Sequence, residues 1–263
     1  MSLIKHIVSR VLPEEYTYLL ADWKNKALNN VHYKRELEAI NRRTEFYSEF
    51  IDSKSLVFDV GANLGNRISS FLCIGAKVIA VEPQLFCCRY LRKKFGTQIT
   101  IENKAAGSQP GHLDLFVSDS HTLTSLSKDY VDTVGKTRFA NAKWKTSKLV
   151  EVTTLSKLIQ QYGVPAFIKI DVEGFELEVL KGLEQPVQCI SFEYNTPDMK
   201  EIMFDCLNTL HKLSPRYEFN FSEGESMLLS RDTWLTFDAF MEVVHKDEFL
   251  NTGFGDVYCR LRT

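Results

Sequence analysis

The chain has 263 residues, 44% hydrophobic and 25% charged, with 32 lysines and arginines against 34 acids and a formal net charge of −2. This composition is that of a soluble globular chain and excludes a disordered, collagen-like or coiled-coil protein; the length fits one large domain or two small ones. The balance of charge offers no global basic field for nucleic acid or an acidic membrane, and no window approaches the ~20 apolar residues of a membrane helix.

The start, MSLIKHIVSRVLPEEYTYLL, shows no continuous apolar h-region and no small-residue cleavage site. Six scattered cysteines without a CxxC pair argue against a disulfide framework and a zinc site of ordinary spacing. The expectation is a cytoplasmic protein with no nucleic-acid partner and no membrane partner.

Residues 1–53 read as a helical extension, with Leu37, Ile40, Tyr47, Phe50 and Ile51 at helical spacing among charged residues. Such a flank packs on a core; the alternatives are a substrate lid or a surface for homo-oligomers. A second unit, 54–263, begins with a change of rhythm. Strands are expected at 55–60, 77–82 and 99–103, with helices at 66–74 and 85–95 between them. Residues 107–153 interrupt this alternation. Segments 111–117 and 149–153 alternate like strands around a stretch, 118–148, rich in Ser, Thr and Lys. That stretch is either functional or a solvated insertion. The rhythm returns with helices at 155–162, 175–181 and 199–213 and strands at 166–171 and 188–193. Segments 217–221, 226–229 and 256–260 read as closing strands. Strand–helix alternation of this kind predicts a mostly parallel sheet covered by helices on both faces.

Open sheets of this class bind ligands beyond the carboxyl ends of their strands. The first such end is Asp59-Val60-Gly61-Ala62-Asn63-Leu64-Gly65-Asn66. Its spacing is GxxxG, and Asn63 stands where a dinucleotide loop carries its middle glycine. Asp59 suits a cationic or hydroxyl-bearing ligand and disfavours a pyrophosphate. S-adenosylmethionine, with an ammonium, a sulfonium and no phosphate, fits that description. Glu82 ends the next strand about 20 residues after Gly61, where a carboxylate can accept from both ribose hydroxyls. Asn103 and Ala105, at the end of the third strand, are candidates for the adenine rim. Lys169, Asp171 and Glu173 crowd charge at the end of a central strand.

The phrase KIDVEGFE at 169–176, after the DVGANLG loop and the VEP strand end, resembles the FkbM family of S-adenosylmethionine-dependent methyltransferases over roughly residues 50–200. The resemblance implies the seven-stranded class I methyltransferase sheet, Rossmann-like, with its last strand antiparallel. It implies transfer to hydroxyls of sugars, polyketides and other secondary metabolites. Carried over, Asp59, Gly61, Asn63 and Gly65 form the cofactor loop that Asn66 closes, Glu82 binds ribose, and Asp171 and Glu173 face the methyl group. One departure stands out: the family's TLD element is Thr154-Leu155-Ser156 here, so any role of that acid is in doubt.

An alcohol is a poor nucleophile, so the site needs a base or a metal that lowers its pKa. Asp171, Glu193 and His121 are candidates for the base. Asp171, Glu193 and Asn195 offer oxygen ligands for a divalent ion such as Mg²⁺ or Mn²⁺. Phe192, Tyr194, Trp144 and Tyr130 are candidates for an apolar or sugar-stacking wall. The basic residues from Lys128 to Lys148 meet either an anionic acceptor or water. The expected partner is a small-molecule or glycan acceptor. The rival readings are an NAD(P)-binding oxidoreductase and a non-catalytic cofactor-binding scaffold.

Overall fold

The computed structural model describes residues 14–118, 123–134 and 144–262. In chain order the elements are α1 (Glu14–Ala27), α2 (Val31–Tyr47), β1 (Leu56–Val60), α3 (Ile68–Ile74), β2 (Lys77–Val81), α4 (Leu85–Phe95), β3 (Ile99–Glu102), β4 (Ala105–Ala106), β5 (Gly111–Ser118), α5 (Lys128–Val134) and β6 (Trp144–Thr153). They continue with α6 (Leu155–Tyr162), β7 (Phe167–Ile170), α7 (Glu176–Lys181), β8 (Cys189–Asn195), α8 (Lys200–Leu213), β9 (Tyr217–Glu223), α9 (Phe237–Val244), α10 (Asp247–Leu250) and β10 (Phe254–Leu261).

Seven strands form one sheet in the order β3-β2-β1-β7-β8-β10-β9. The first five run parallel, and β10 is antiparallel to both β8 and β9. This is the seven-stranded sheet that the family resemblance implies, with its last strand antiparallel. Its central strands are short apolar runs buried on both faces, as in LVFDV, KVIAV and FIKI. On one face Leu155, Leu158, Val179, Leu180, Cys206, Leu207 and Phe240 bring α6 through α9 onto the sheet. On the other, Phe46 and Tyr47 of α2 join Ile68, Phe71, Tyr90 and Leu91 of α3 and α4. The N-terminal flank thus shares the core of the sheet through the end of α2. The strand order reverses between β1 and β7, which opens a crevice at their carboxyl ends.

The insertion forms a separate three-stranded sheet, β4-β6-β5, with β5 and β6 antiparallel. Helix α5 lies between the two long strands of this hairpin, where the sequence showed only a polar stretch. Three further expectations need correction. Residues 226–229 are not a strand: Gly224 at φ 51° and Met227 at φ 53° turn the chain out of the extended region. Helices α9 and α10 were not foreseen. The helix after the glycine loop starts at Ile68, so Asn66 stays in the loop. In the departing Thr-Leu-Ser element, Thr154 caps α6 by accepting from the Lys157 amide, and Ser156 Oγ accepts from the Glu184 amide at 2.9 Å.

Phe167 is fully buried at the start of β7, with the rings of Tyr47, Phe50 and Phe71 at centroid distances of 5.6, 5.9 and 6.1 Å. Truncating such a side chain loses its transfer free energy and leaves a cavity. Phe167→Ala is expected to lower stability by about 3–5 kcal/mol, read from the midpoint of urea unfolding.

Candidate active site

The glycine loop lies across the ends of two neighbouring strands. The amides of Gly61 and Ala62 donate to the Val81 carbonyl at 2.9 and 3.2 Å. Gly61 adopts φ 84°, and a Cβ there would stand 1.7 Å from the Asp171 carbonyl oxygen. No other residue fits, because the loop after β1 presses directly on the end of β7. Gly65, at φ 78°, packs against Leu91 and Phe95 of α4. Its task is helix packing, whereas Gly61, Asn63 and Asn66 line a cavity of about 350 Å³.

Glu82 enters this cavity from the end of β2. Its two carboxylate oxygens accept from the amides of Asn63 and Gln84 at 2.8 and 2.7 Å, which aims the carboxylate. Burial pushes its pKa up to about 7, against those hydrogen bonds. Asp59 also faces the cavity and is 3% exposed, and its Oδ2 has no hydrogen-bond partner. Burial raises its pKa to about 7; Lys169 opposes the shift and Asp171 adds to it. Ala105 lines the same cavity. Asn103 does not: its amide donates to the carbonyls of Glu82 and Pro83, both at 3.0 Å, and it borders a neighbouring cavity. Asn103 therefore braces the end of β2.

At the carboxyl ends of β7 and β8, Asp171, Glu173 and Glu193 bring carboxylate oxygens within 4.8 Å of one another. Glu173 sits at φ 53° in the corner before Gly174. Its carboxylate accepts from the Tyr130 hydroxyl, and its carbonyl accepts from Ser125 Oγ at 2.6 Å. A Cβ on Gly174 would lie 2.6 Å from the Tyr130 ring. The insertion is thus fastened to this corner, and Thr124 and Leu126 add to the cavity wall. Burial, then the Asp171 charge, raise the Glu173 pKa to about 8 and carry Glu193 well above its ordinary value. Asn195 lies beside the trio: its amide donates to Glu193 Oε2 at 3.2 Å. Glu173 joins Asp171 and Glu193 in the cluster of acids. His121 falls outside the described residues.

The expected wall residues are used elsewhere. Phe192 is core, the Tyr194 hydroxyl bonds Thr252, Trp144 Nε1 donates to the Leu123 carbonyl, and Tyr130 holds Glu173.

Sequence reasoning singled out Lys169 but missed Asp256, its partner in the support beneath the trio. Lys169 is 1% exposed, with Nζ 2.8 Å from Asp256 Oδ1 and 3.5 Å from Asp171 Oδ2. Burial works against its charge, yet the two carboxylates hold its pKa above the ordinary lysine value. The signal was a lone lysine in an apolar strand. Its partner, however, lies 87 positions away.

Glu82 has a sign that can be tested. A carboxyl whose folded pKa exceeds its unfolded value binds its proton more tightly when folded. Its stabilising contribution is complete below about 4.5 and is lost as pH rises through about 7. In thermal melts between pH 5 and 8, Glu82→Gln is expected to gain stability relative to wild type as pH rises. A constant difference across that range would show that the shift is absent.

A methyltransferase FkbM domain model matches residues 59–220, from the acid of the glycine loop into β9. No curated protein sequence matches the chain significantly. Among solved structures, a TehB-like S-adenosylmethionine-dependent methyltransferase from Corynebacterium glutamicum aligns at TM-score 0.47 and 9% identity, covering 94% of this chain and 98% of that one. Precorrin-6y C5,15-methyltransferase from Geobacter metallireducens aligns at TM-score 0.43 and 8% identity, covering 83% and 87%. An rRNA methylase from Streptococcus thermophilus aligns at 0.42 and 12%, covering 84% and 94%. The family model spans more than half of the chain and both clusters of site residues: this protein belongs to the FkbM methyltransferase domain family, whose reaction is methyl transfer from S-adenosylmethionine.

Proposed function

We propose that the chain methylates a hydroxyl oxygen of a small-molecule or glycan acceptor. The observation that carries this reading is the acid trio at the ends of β7 and β8, facing the cavity that Asp59 and Glu82 also line. The residues present suit S-adenosylmethionine. Glu82 is a fixed double acceptor for a ribose diol, and the unpartnered oxygen of buried Asp59 calls for a donor. The same acids disfavour the pyrophosphate of NAD. When bound, the cofactor supplies a methyl group on a sulfonium, already a good leaving group.

The chain's own contribution is to place the acceptor oxygen and take its proton. Asp171 is the base in this reading. It stands at the cavity edge with Lys169 behind it. Burial and the Asp171 charge favour the protonated forms of Glu173 and Glu193, in which they can donate hydrogen bonds to acceptor hydroxyls. An acceptor bearing phosphate or carboxylate meets repulsion from the Asp171 carboxylate, so a neutral polyol is the better fit. The six free cysteines, five of them buried, suit a cytoplasmic setting.

The spacing of the trio also favours a second reading. Asp171, Glu173 and Glu193 are the residues that would hold a divalent ion such as Mg²⁺ or Mn²⁺, since hard cations take carboxylate oxygens. The ion would neutralise the crowded acids and polarise the acceptor hydroxyl.

Calorimetric titration with S-adenosylhomocysteine, with NAD in parallel, tests the cofactor; binding of NAD alone would overturn the reading. A screen of sugars and polyols, with and without Mn²⁺, then tests the acceptor. With an acceptor found, Asp171→Asn is expected to slow transfer by about 100-fold or more while S-adenosylhomocysteine binds nearly as well as to wild type. Full activity of that variant would remove Asp171 as the base.

A further inference from the structure

The near-neutral total charge conceals a local separation on the N-terminal side of the molecule. One face of α1 lies on α4: the Tyr18 ring meets those of Phe86 and Tyr90, each at a centroid distance of 6.3 Å, and the Tyr90 hydroxyl donates to Asp22. The opposite face of α1 is open. Tyr16, Leu20 and Trp23 recur there at i, i+4 and i+7, which sets them in one stripe, and all three are exposed, Trp23 to 70%. Leu28, in the turn that follows, and Val31, at the start of α2, are exposed to 63% and 60%. Single apolar residues are ordinary on a surface, whereas an aligned stripe with an outermost tryptophan marks a surface that meets a partner.

Cations fringe the stripe. Lys24 and Lys26 stand in the last turn of α1. On α4, Arg89, Arg92 and Lys93 share the exposed side, and Lys93 Nζ lies 3.6 Å from the centroid of the Tyr16 ring, which joins the two helices into one face. None of these five cations makes an ion pair among the described residues. Helix α4 carries no acid, and Asp22 and Glu36 are both engaged by Lys94, at 3.7 Å. The sequence upstream repeats the combination, with apolar pairs at 3–4, 7–8 and 11–12 alternating with Lys5-His6 and Ser9-Arg10.

A nucleic acid would use the cations and leave Leu20, Leu28 and Val31 in water. A bilayer surface uses both: tryptophan, tyrosine and leucine side chains enter the headgroup region, and the lysines and arginines beside them meet anionic headgroups. We propose that the α1–α4 face docks on an anionic lipid surface, with Leu20 and Trp23 inserted among the headgroups and the five cations set against them. None of these residues lines the cofactor cavity, so the docking face is independent of the reading of the reaction.

Co-sedimentation with vesicles tests this, using phosphatidylcholine alone and an equal mixture of phosphatidylcholine and phosphatidylglycerol. Wild type is expected to bind the mixed vesicles about tenfold or more tightly than the neutral ones, and to lose that advantage as salt is raised. Lys24→Ala combined with Lys26→Ala is expected to weaken binding to the mixed vesicles by about 20-fold, roughly fivefold for each charge. Trp23→Ser is expected to weaken it by about tenfold. These are surface substitutions, so thermal melts are expected to match wild type. Wild type that binds neither vesicle, binds both equally, or is matched by all of these variants would overturn the proposal. Light scattering without lipid that gives the mass of two chains, reduced to one by Trp23→Ser, would assign the face to a second copy and overturn it as well.

Discussion

The loop after β1 and the end of β7 meet with no room for a side chain. A Cβ on Gly61 would stand 1.7 Å from the Asp171 carbonyl oxygen. This contact sets the distance between the two functional regions. The loop lines the cavity from one side, and Asp171 reaches into the same space from the other. It also sits where the strand order reverses, the place at which a parallel sheet opens a crevice. Both loops are held to the sheet by backbone hydrogen bonds, Gly61 to Val81 and Asp171 to Val60. Their relation is fixed by the rigid sheet rather than by side chains.

The acids above this contact are costly to bury alone. The fold offsets that cost from below. Lys169 passes under Asp171 from the middle of an apolar strand and is paired on its other side with Asp256 of β10. Removing one partner of such a buried pair leaves the other charge uncompensated. The arrangement therefore ties the antiparallel last strand to the chemistry at the centre. Glu176 works similarly on the backbone: one of its oxygens accepts from the amides of Val172 and Gly174, both at 3.2 Å, and holds the signature corner in shape.

Charge is distributed along the cavity in order. A fixed double acceptor stands at the end of β2, a crowded group of acids at β7 and β8, and the Arg67 guanidinium with Asp59 over the loop. The insertion closes one side through the Tyr130–Glu173 contact, and the turn after β9 closes another through Glu225, which Arg67 bonds at 2.7 and 2.8 Å. Segments remote in sequence thus supply the walls, while the strand ends supply the floor.

The local chemistry was legible in the sequence. The buried runs LVFDV, KVIAV and FIKI, each followed by a turn, specify parallel strands because such strands are covered on both faces. Gly61, in the loop after β1, marks a sharp bend of the backbone. Acids at strand ends mark a polar ligand. These are properties of short segments, set by periodicity and by steric limits on single residues. What only the tertiary structure decided was partnership. Nothing near Lys169 in the chain announces Asp256, and nothing near Arg67 announces Glu225, because those pairs are made by strand order and by turns that bring distant segments together. Residues 226–229 read as a strand until the positive φ angles of Gly224 and Met227 turned them aside, and Asn103 read as a rim residue until its amide was seen to brace β2. A side chain's type limits which bonds it can make; the packing of elements far apart in the chain decides which of them it does make.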